Sequence, residues 1–285
     1  MKKVAYCLYG VPRLLKDGSK QIIKFVENQN NCEFDFYCQA WWDSNEVGTE
    51  NKANEWVTEG FKNRLGTVKS DTDKKIVDLY NPIKSQIEPF RNFDETVNFI
   101  KHSYIGQFLS NPNNCPIVRK RKRQAKRNWS MGRLKTIPNF TSQYCARKIC
   151  VDLLIPNILN YDCIIFSRYD FINEIKIKIN DLDLNKVYCS SYSFQSYFKH
   201  SVDDNFMIFH PSKLFFQNVF DNLKNLSNEE LWSDFLLKYH SRVEYAPEYM
   251  LPLNYYYHFN NLDDIIKSDK IPYFYGNVRK PYRFK

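Results

Sequence analysis

The amino-acid sequence predicts an α/β protein: a mostly parallel sheet with helices on both faces, in a single domain over residues 1–285 with a polar insertion at about 44–140. Three observations carry this expectation. Val4–Ala40 reads as strand, helix, strand at the length of a βαβ unit, which implies parallel pairing. Short apolar runs recur near residues 163, 187 and 206, separated by stretches with helical spacing. The 285 residues are 43% hydrophobic and 16% aromatic, enough for a large core, and no repeat or Gly/Ser-rich linker divides the chain.

The elements follow in order. Val4–Tyr9 is an apolar run of strand length, stopped by Gly10-Val11-Pro12-Arg13. Ser19 is a candidate N-cap for a helix over Lys20–Asn30, with Ile22, Ile23 and Val26 as its apolar face. Phe34–Ala40 reads as the second strand and ends in Trp41-Trp42-Asp43. Within the insertion, Ile83–Ile100 has amphipathic helical spacing, and Asn111–Lys135 reads as a loop. Thr141–Leu159 reads as a helix that Pro156 kinks or ends. Strands are expected at Cys163–Ser167, Val187–Ser190, Phe206–Phe209 and Val243–Tyr245. Ser227 and Glu230 form a capping box ahead of Leu231, Phe235 and Leu236, the signature of a helix start.

Composition narrows the function classes. The net charge of +9 points to an anionic partner: a phosphate-rich ligand, nucleic acid or an acidic surface. No stretch approaches the roughly 20 apolar residues of a membrane span, so no transmembrane segment is expected. The eight cysteines are irregularly spaced without a CxxC, and Cys7, Cys38, Cys163 and Cys189 fall inside expected elements. Buried free thiols in a reducing, cytoplasmic compartment account for them, with peripheral contact at a membrane as an extension. Five histidines without HxH or HExxH argue against a zinc hydrolase. There is also no GxGxxG, no Walker pattern and no GxSxG.

Ligands of open α/β sheets sit at the carboxyl ends of the strands, so the residues there are the candidates. Gly10 permits a close turn after the first strand, and Arg13 just beyond it suits a phosphate, although a solvated arginine would fit the same position. Trp42 and Asp43 end the second strand; an indole stacks on a base or sugar and a carboxylate accepts from hydroxyls, while core packing is the alternative for either tryptophan. In "YDCIIFSRYDF" an apolar strand ends by delivering Arg168 and Asp170, which at i and i+2 share one side of an extended chain. Asp170 could hold a divalent ion on a diphosphate, with Arg168 neutralising phosphates or fixing Asp170; a structural Arg–Asp pair is the other reading. On the ligand reading the amide substitution of Asp170 lowers turnover and hardly alters the melting temperature of the apo fold. Gln143 and Arg147, one turn apart near the start of the third helix, are polar groups that could face a nucleotide or serve ordinary capping. Asp203 and Asp204 precede the strand at Phe206, where one could act as general base or both could be solvated; His200 lies three residues before them.

The segments "YCLYGVPR", "FDFYCQAWWD", "SQYCARKICVDL…YDCIIFSRYDF" and "VDDNFMIF", in this order, resemble a loose group of bacterial and viral glycosyltransferases with the Rossmann-like GT-A fold. The resemblance covers about residues 1–40 and 140–240. It implies a nucleoside-diphosphate sugar donor, a glycan or glycoconjugate acceptor, and either Mn²⁺ or Mg²⁺ as cofactor or a metal-free site that uses Arg168 instead. It aligns Asp170 with the last acid of the group's DxD-type motif, so that Asp170 would be the metal ligand. Arg168 stands where that motif often has its first acid. With a nucleotide-sugar donor, the strand-end reading places Gly10, Arg13, Trp42, Asp43, Gln143, Arg147 and Arg168 at the donor, and Asp203 or Asp204 as base if the reaction inverts.

The densest basic run, residues 119–127 (RKRKRQAKR), supports a different class: a nucleic-acid-associated protein. It also suits an acidic surface or glycan, or a solvated basic loop, and only Trp129 nearby offers base stacking.

Overall fold

The structure is a computed structural model that describes residues 1–43, 71–95, 98, 137–190, 206–214, 265–268, 270 and 271. Seven strands form one mixed sheet: β1 (Lys2–Tyr9), β2 (Cys32–Trp41), β3 (Lys84–Glu88), β4 (Cys163–Arg168), β5 (Val187–Ser190), β6 (Phe206–Phe209) and β7 (Ile265–Ser268). Their order is β3-β2-β1-β4-β6-β5-β7. β6 runs antiparallel to both of its neighbours, and every other pairing is parallel. The helices are α1 (Leu15–Glu27), α2 (Thr72–Tyr80) and α3 (Ile137–Leu154).

β1 and β4 are the spine of the sheet. Their residues are buried on both faces, as the apolar runs require of a parallel strand covered from two sides. Alternation along β1 divides the core. Val4, Tyr6 and Leu8 join Ile22 and Phe25 of α1 in one apolar cluster. On the other side α3 packs on β1, where the Cys150 thiol donates to the Leu8 carbonyl at 3.2 Å. α3 is buried over most of its circumference, so its sequence carries almost no amphipathic pattern.

α1 starts at Leu15, four residues before the expected cap. Ser19 is inside the helix, where its hydroxyl donates to the Lys16 carbonyl at 3.1 Å. Gly18, also inside the helix, is a packing contact. A Cβ there would lie 1.8 Å from the Tyr169 carbonyl oxygen, so only glycine lets α1 reach the chain leaving β4.

The expected helix over Ile83–Ile100 is corrected in its first part: residues 84–88 are β3, paired in parallel with β2 from Tyr37↔Lys84 to Trp41↔Glu88, while residues 94, 95 and 98 are helical. Pairing to β2 overrides the helical spacing of this polar segment. The stretch at 44–140 thus supplies a strand of the sheet and α2 rather than standing wholly apart from it. α3 ends at Leu154, and Pro156 sits in the first turn of the 3₁₀ segment Ile155–Asn160. The expected capping box at Ser227 and the strand at Val243–Tyr245 lie outside the described residues. No disulfide joins the seven described cysteines. Burial pushes the Cys38 thiol up to about 12 and raises those of Cys7 and Cys150 as well. No helix among the described residues is long and apolar enough to cross a membrane.

Candidate functional site

From β1 the chain crosses to β2 on one side, while β4 lies against β1 on the other. The carboxyl edge between β1 and β4 is therefore a topological switch point, the place where open α/β sheets take ligands.

The Gly10 turn follows β1 at this edge. Gly10 has φ 94°, a conformation that favours glycine, and a Cβ built on it meets nothing within 4 Å. Its N–H donates to Gln39 Oε1 at 3.0 Å, and its carbonyl accepts from the Trp41 N–H at 3.1 Å. The turn is thereby stitched to the end of β2. The Arg13 N–H bonds back to the Val11 carbonyl at 2.8 Å, and Leu14 takes a left-handed conformation before α1 begins.

Arg13 then reaches across to β4. Its Nε lies 3.5 Å from Asp170 Oδ2. Arg168 binds the same carboxylate with two parallel bonds, Nε to Oδ1 at 2.9 Å and Nη2 to Oδ2 at 2.8 Å. Asp170 is 0% exposed, Arg13 4% and Arg168 6%. One buried carboxylate therefore holds two buried guanidinium groups, one from the turn after β1 and one from the end of β4. Parallel register explains the meeting: Tyr9 lies beside Arg168, so the loops after β1 and β4 leave the sheet together. α1 lies close against this point: a Cβ built on Gly18 would also come within 3.6 Å of Asp170 Cα.

Arg147, a third buried arginine, enters from α3. Its Nη2 donates to the Tyr9 hydroxyl at 2.8 Å, and its guanidinium lies 4.9 Å from the Tyr9 ring centre and 5.7 Å from that of Tyr144. Three arginines from three elements thus converge on the end of the β1–β4 pair.

The structure brings Gly10, Arg13, Arg168 and Asp170 together and adds Arg147 through Tyr9. Trp41 is core, packed on Phe90 and Phe93 with ring centres 5.7 and 6.0 Å away. Trp42 and Asp43 are half-buried at the end of β2, one strand further along the edge. Gln143 is half-buried one turn before Arg147. Asp203, Asp204, His200 and the run at 119–127 lie outside the described residues. The chain enters β6 at Phe206, paired with Ser167 at the same carboxyl edge. Tyr9, Gln39 and Gly18 are residues that pattern reading passes over. The signal for Tyr9 and Gln39 was a polar tip near the end of a strand that otherwise reads as apolar.

Asp170 as arranged here does not suit a divalent ion. Mg²⁺ and Mn²⁺ take oxygen ligands and water around the metal. Both oxygens of Asp170 are engaged by guanidinium groups, and an ion there would sit against two like charges. Among the described residues no group of three His, Cys, Asp or Glu side chains is placed to hold a metal. Asp170 is instead a buried strut, the structural Arg–Asp pair, extended to a second arginine.

No protein-family model matches the chain, and no curated protein matches it as a relative.

Proposed function

We propose that the chain is a GT-A-type glycosyltransferase that moves a sugar from a nucleoside-diphosphate donor to a hydroxyl of a glycan or glycoconjugate. One observation carries this reading: Arg13 and Arg168, fixed by Asp170, sit at the β1–β4 switch point beside a glycine turn whose outer side is open. Guanidinium groups match phosphate oxygens in pairs, and holding them on a buried carboxylate lowers the entropic cost of meeting the ligand. At an effective dielectric of about 20, a unit charge about 4 Å from a guanidinium gains roughly 4 kcal/mol before desolvation is subtracted. Arg147 adds positive charge from the helix side. The Gly10 turn lets the donor approach main chain rather than a side chain.

In this mechanism the arginines stabilise the diphosphate as it leaves the anomeric carbon, where negative charge develops. Asp203 or Asp204, next to the entrance of β6, removes the acceptor proton if configuration is inverted. No step is assigned to a metal at Asp170. Mn²⁺ or Mg²⁺, where required, would be held by other oxygens.

The test is release of nucleoside diphosphate from a panel of UDP-, GDP-, ADP- and dTDP-sugars, with Mn²⁺, with Mg²⁺ and with chelator. Turnover of at least one donor, reduced about 10²-fold or more by Arg13→Ala, is expected. A folded protein that neither binds nor turns over any member of the panel would refute the proposal.

A further inference from the structure

A second site lies two strands away, on the far side of β2 from the switch point. The spacing of α2 creates it. Thr72, Ile76 and Tyr80, four residues apart, are buried and hold the helix to the core, where the Tyr80 ring packs on Phe36 at 5.2 Å. The adjoining stripe, Asp73 and Val77 with Lys74 and Asp78, repeats the spacing of four and forms one wall of a solvent-open groove of about 540 Å³. β3 forms the other wall, presenting Ser85 and Ile87 on one face at i and i+2. Trp42 lines the groove at the carboxyl end of β3, with its main-chain N–H bonded to the Glu88 carbonyl at 2.8 Å.

We propose that this groove binds a neutral saccharide. A sugar ring has an apolar C–H face and a rim of hydroxyls, and the groove offers a counterpart to each. The Trp42 indole with Val77 and Ile87 suits the C–H face. The Asp73 and Asp78 carboxylates accept hydrogen bonds from hydroxyls, and Ser85 and Lys74 donate to them. Charge excludes the competing ligands. A phosphate or acidic glycan would meet two carboxylates against one ammonium, so the groove does not duplicate the arginine site. A wholly apolar ligand would strip water from four polar side chains. The volume falls in the range of roughly 300–1,000 Å³ typical of small-molecule sites. With strands about 4.8 Å apart, β3 is about 10 Å from β1 across the edge. As a saccharide site the groove stands on its own geometry; its service as the acceptor site rests on the glycosyl-transfer reading.

The full chain is titrated with maltotriose, cellotriose, chitotriose, lactose and mannotriose, and followed by tryptophan fluorescence and saturation-transfer NMR. At least one should bind more tightly than about 1 mM, with little dependence on salt. Trp42→Ala should weaken it tenfold or more. Asp73→Asn with Asp78→Asn, a pair of surface changes that leaves the core alone, should also weaken it tenfold or more. Binding of no saccharide, binding unaffected by both variants, or preference for an extended peptide along the β3 edge would overturn the proposal. Saccharide binding without any nucleoside-diphosphate binding supports the groove and counts against the glycosyl-transfer reading. The converse result overturns the groove alone.

Discussion

Replacing Asp170 by Asn keeps the shape of the side chain and removes its charge. In the structure this leaves Arg168, which makes two bonds to the carboxylate, and Arg13, 3.5 Å away, buried without their shared counter-charge. Removing one partner of a buried ion pair costs about 3–5 kcal/mol, against about 0–1 kcal/mol for an exposed pair. With Asp170 at 0% exposure, the buried figure applies. At about 2 °C per kcal/mol, toward the low end for a chain of this length, the apo protein should melt about 6–10 °C lower. This reverses the expectation that Asp170→Asn would hardly alter the melting temperature of the apo protein. Thermal unfolding and urea titration of the wild type, Asp170→Asn, Arg168→Gln and the double variant form a cycle. The double variant should cost less than the sum of the singles, with a coupling of about 1–3 kcal/mol. A loss below about 1 kcal/mol for Asp170→Asn, or additive singles, would refute the buried strut.

Gly18→Ala should destabilise the fold by about 3 kcal/mol or more, since its Cβ meets the Tyr169 carbonyl oxygen at 1.8 Å and backbone cannot yield cheaply; urea titration checks this. Gly10→Ala meets no atom and should cost only the strain of φ 94°, about 1–2 kcal/mol, in the same titration. Cys38 stays protonated in the fold up to about 12, whereas in the unfolded chain it ionises near its ordinary value of 9.0. Its contribution is therefore intact below about pH 9 and falls by about 1.4 kcal/mol per pH unit as pH rises toward 12; the urea midpoint under reductant should drop from pH 8 to pH 10, and less so in Cys38→Ala. Neutralising Arg119, Lys120, Arg121, Lys122 and Arg123 should leave donor hydrolysis nearly unchanged while weakening attachment to acidic surfaces, as read by vesicle sedimentation.

The sheet was legible where its strands are apolar. β1, β4 and β6 are runs that only a buried strand accommodates, and their limits fell within two residues of expectation. β3 was not legible, because Lys-Ser-Gln-Ile-Glu lacks an apolar run and becomes a strand only by pairing with β2. The start of α1 was hidden by Ser19, a good cap residue that instead bonds back to Lys16 from inside the helix. At the site, the i, i+2 spacing of Arg168 and Asp170 suggested a shared side. The third member, Arg13, is 157 positions from Asp170, and only the parallel register of β1 with β4 unites them. Burial of Asp170 was the feature that spacing could not disclose, and it decides between the two readings of the pair in favour of a strut.

The most direct measurement is a titration of the wild type and Arg13→Lys with UDP, GDP, ADP and dTDP, by calorimetry and thermal shift, with chelator and with Mn²⁺. A nucleoside diphosphate at 100 times its dissociation constant should stabilise the wild type by about 2.7 kcal/mol, a rise of about 5 °C. Arg13→Lys keeps the charge but loses the planar fork, so it should bind the same ligand at least tenfold more weakly. No shift with any of the four, or equal affinity in the two proteins, would contradict a diphosphate site at the β1–β4 switch point.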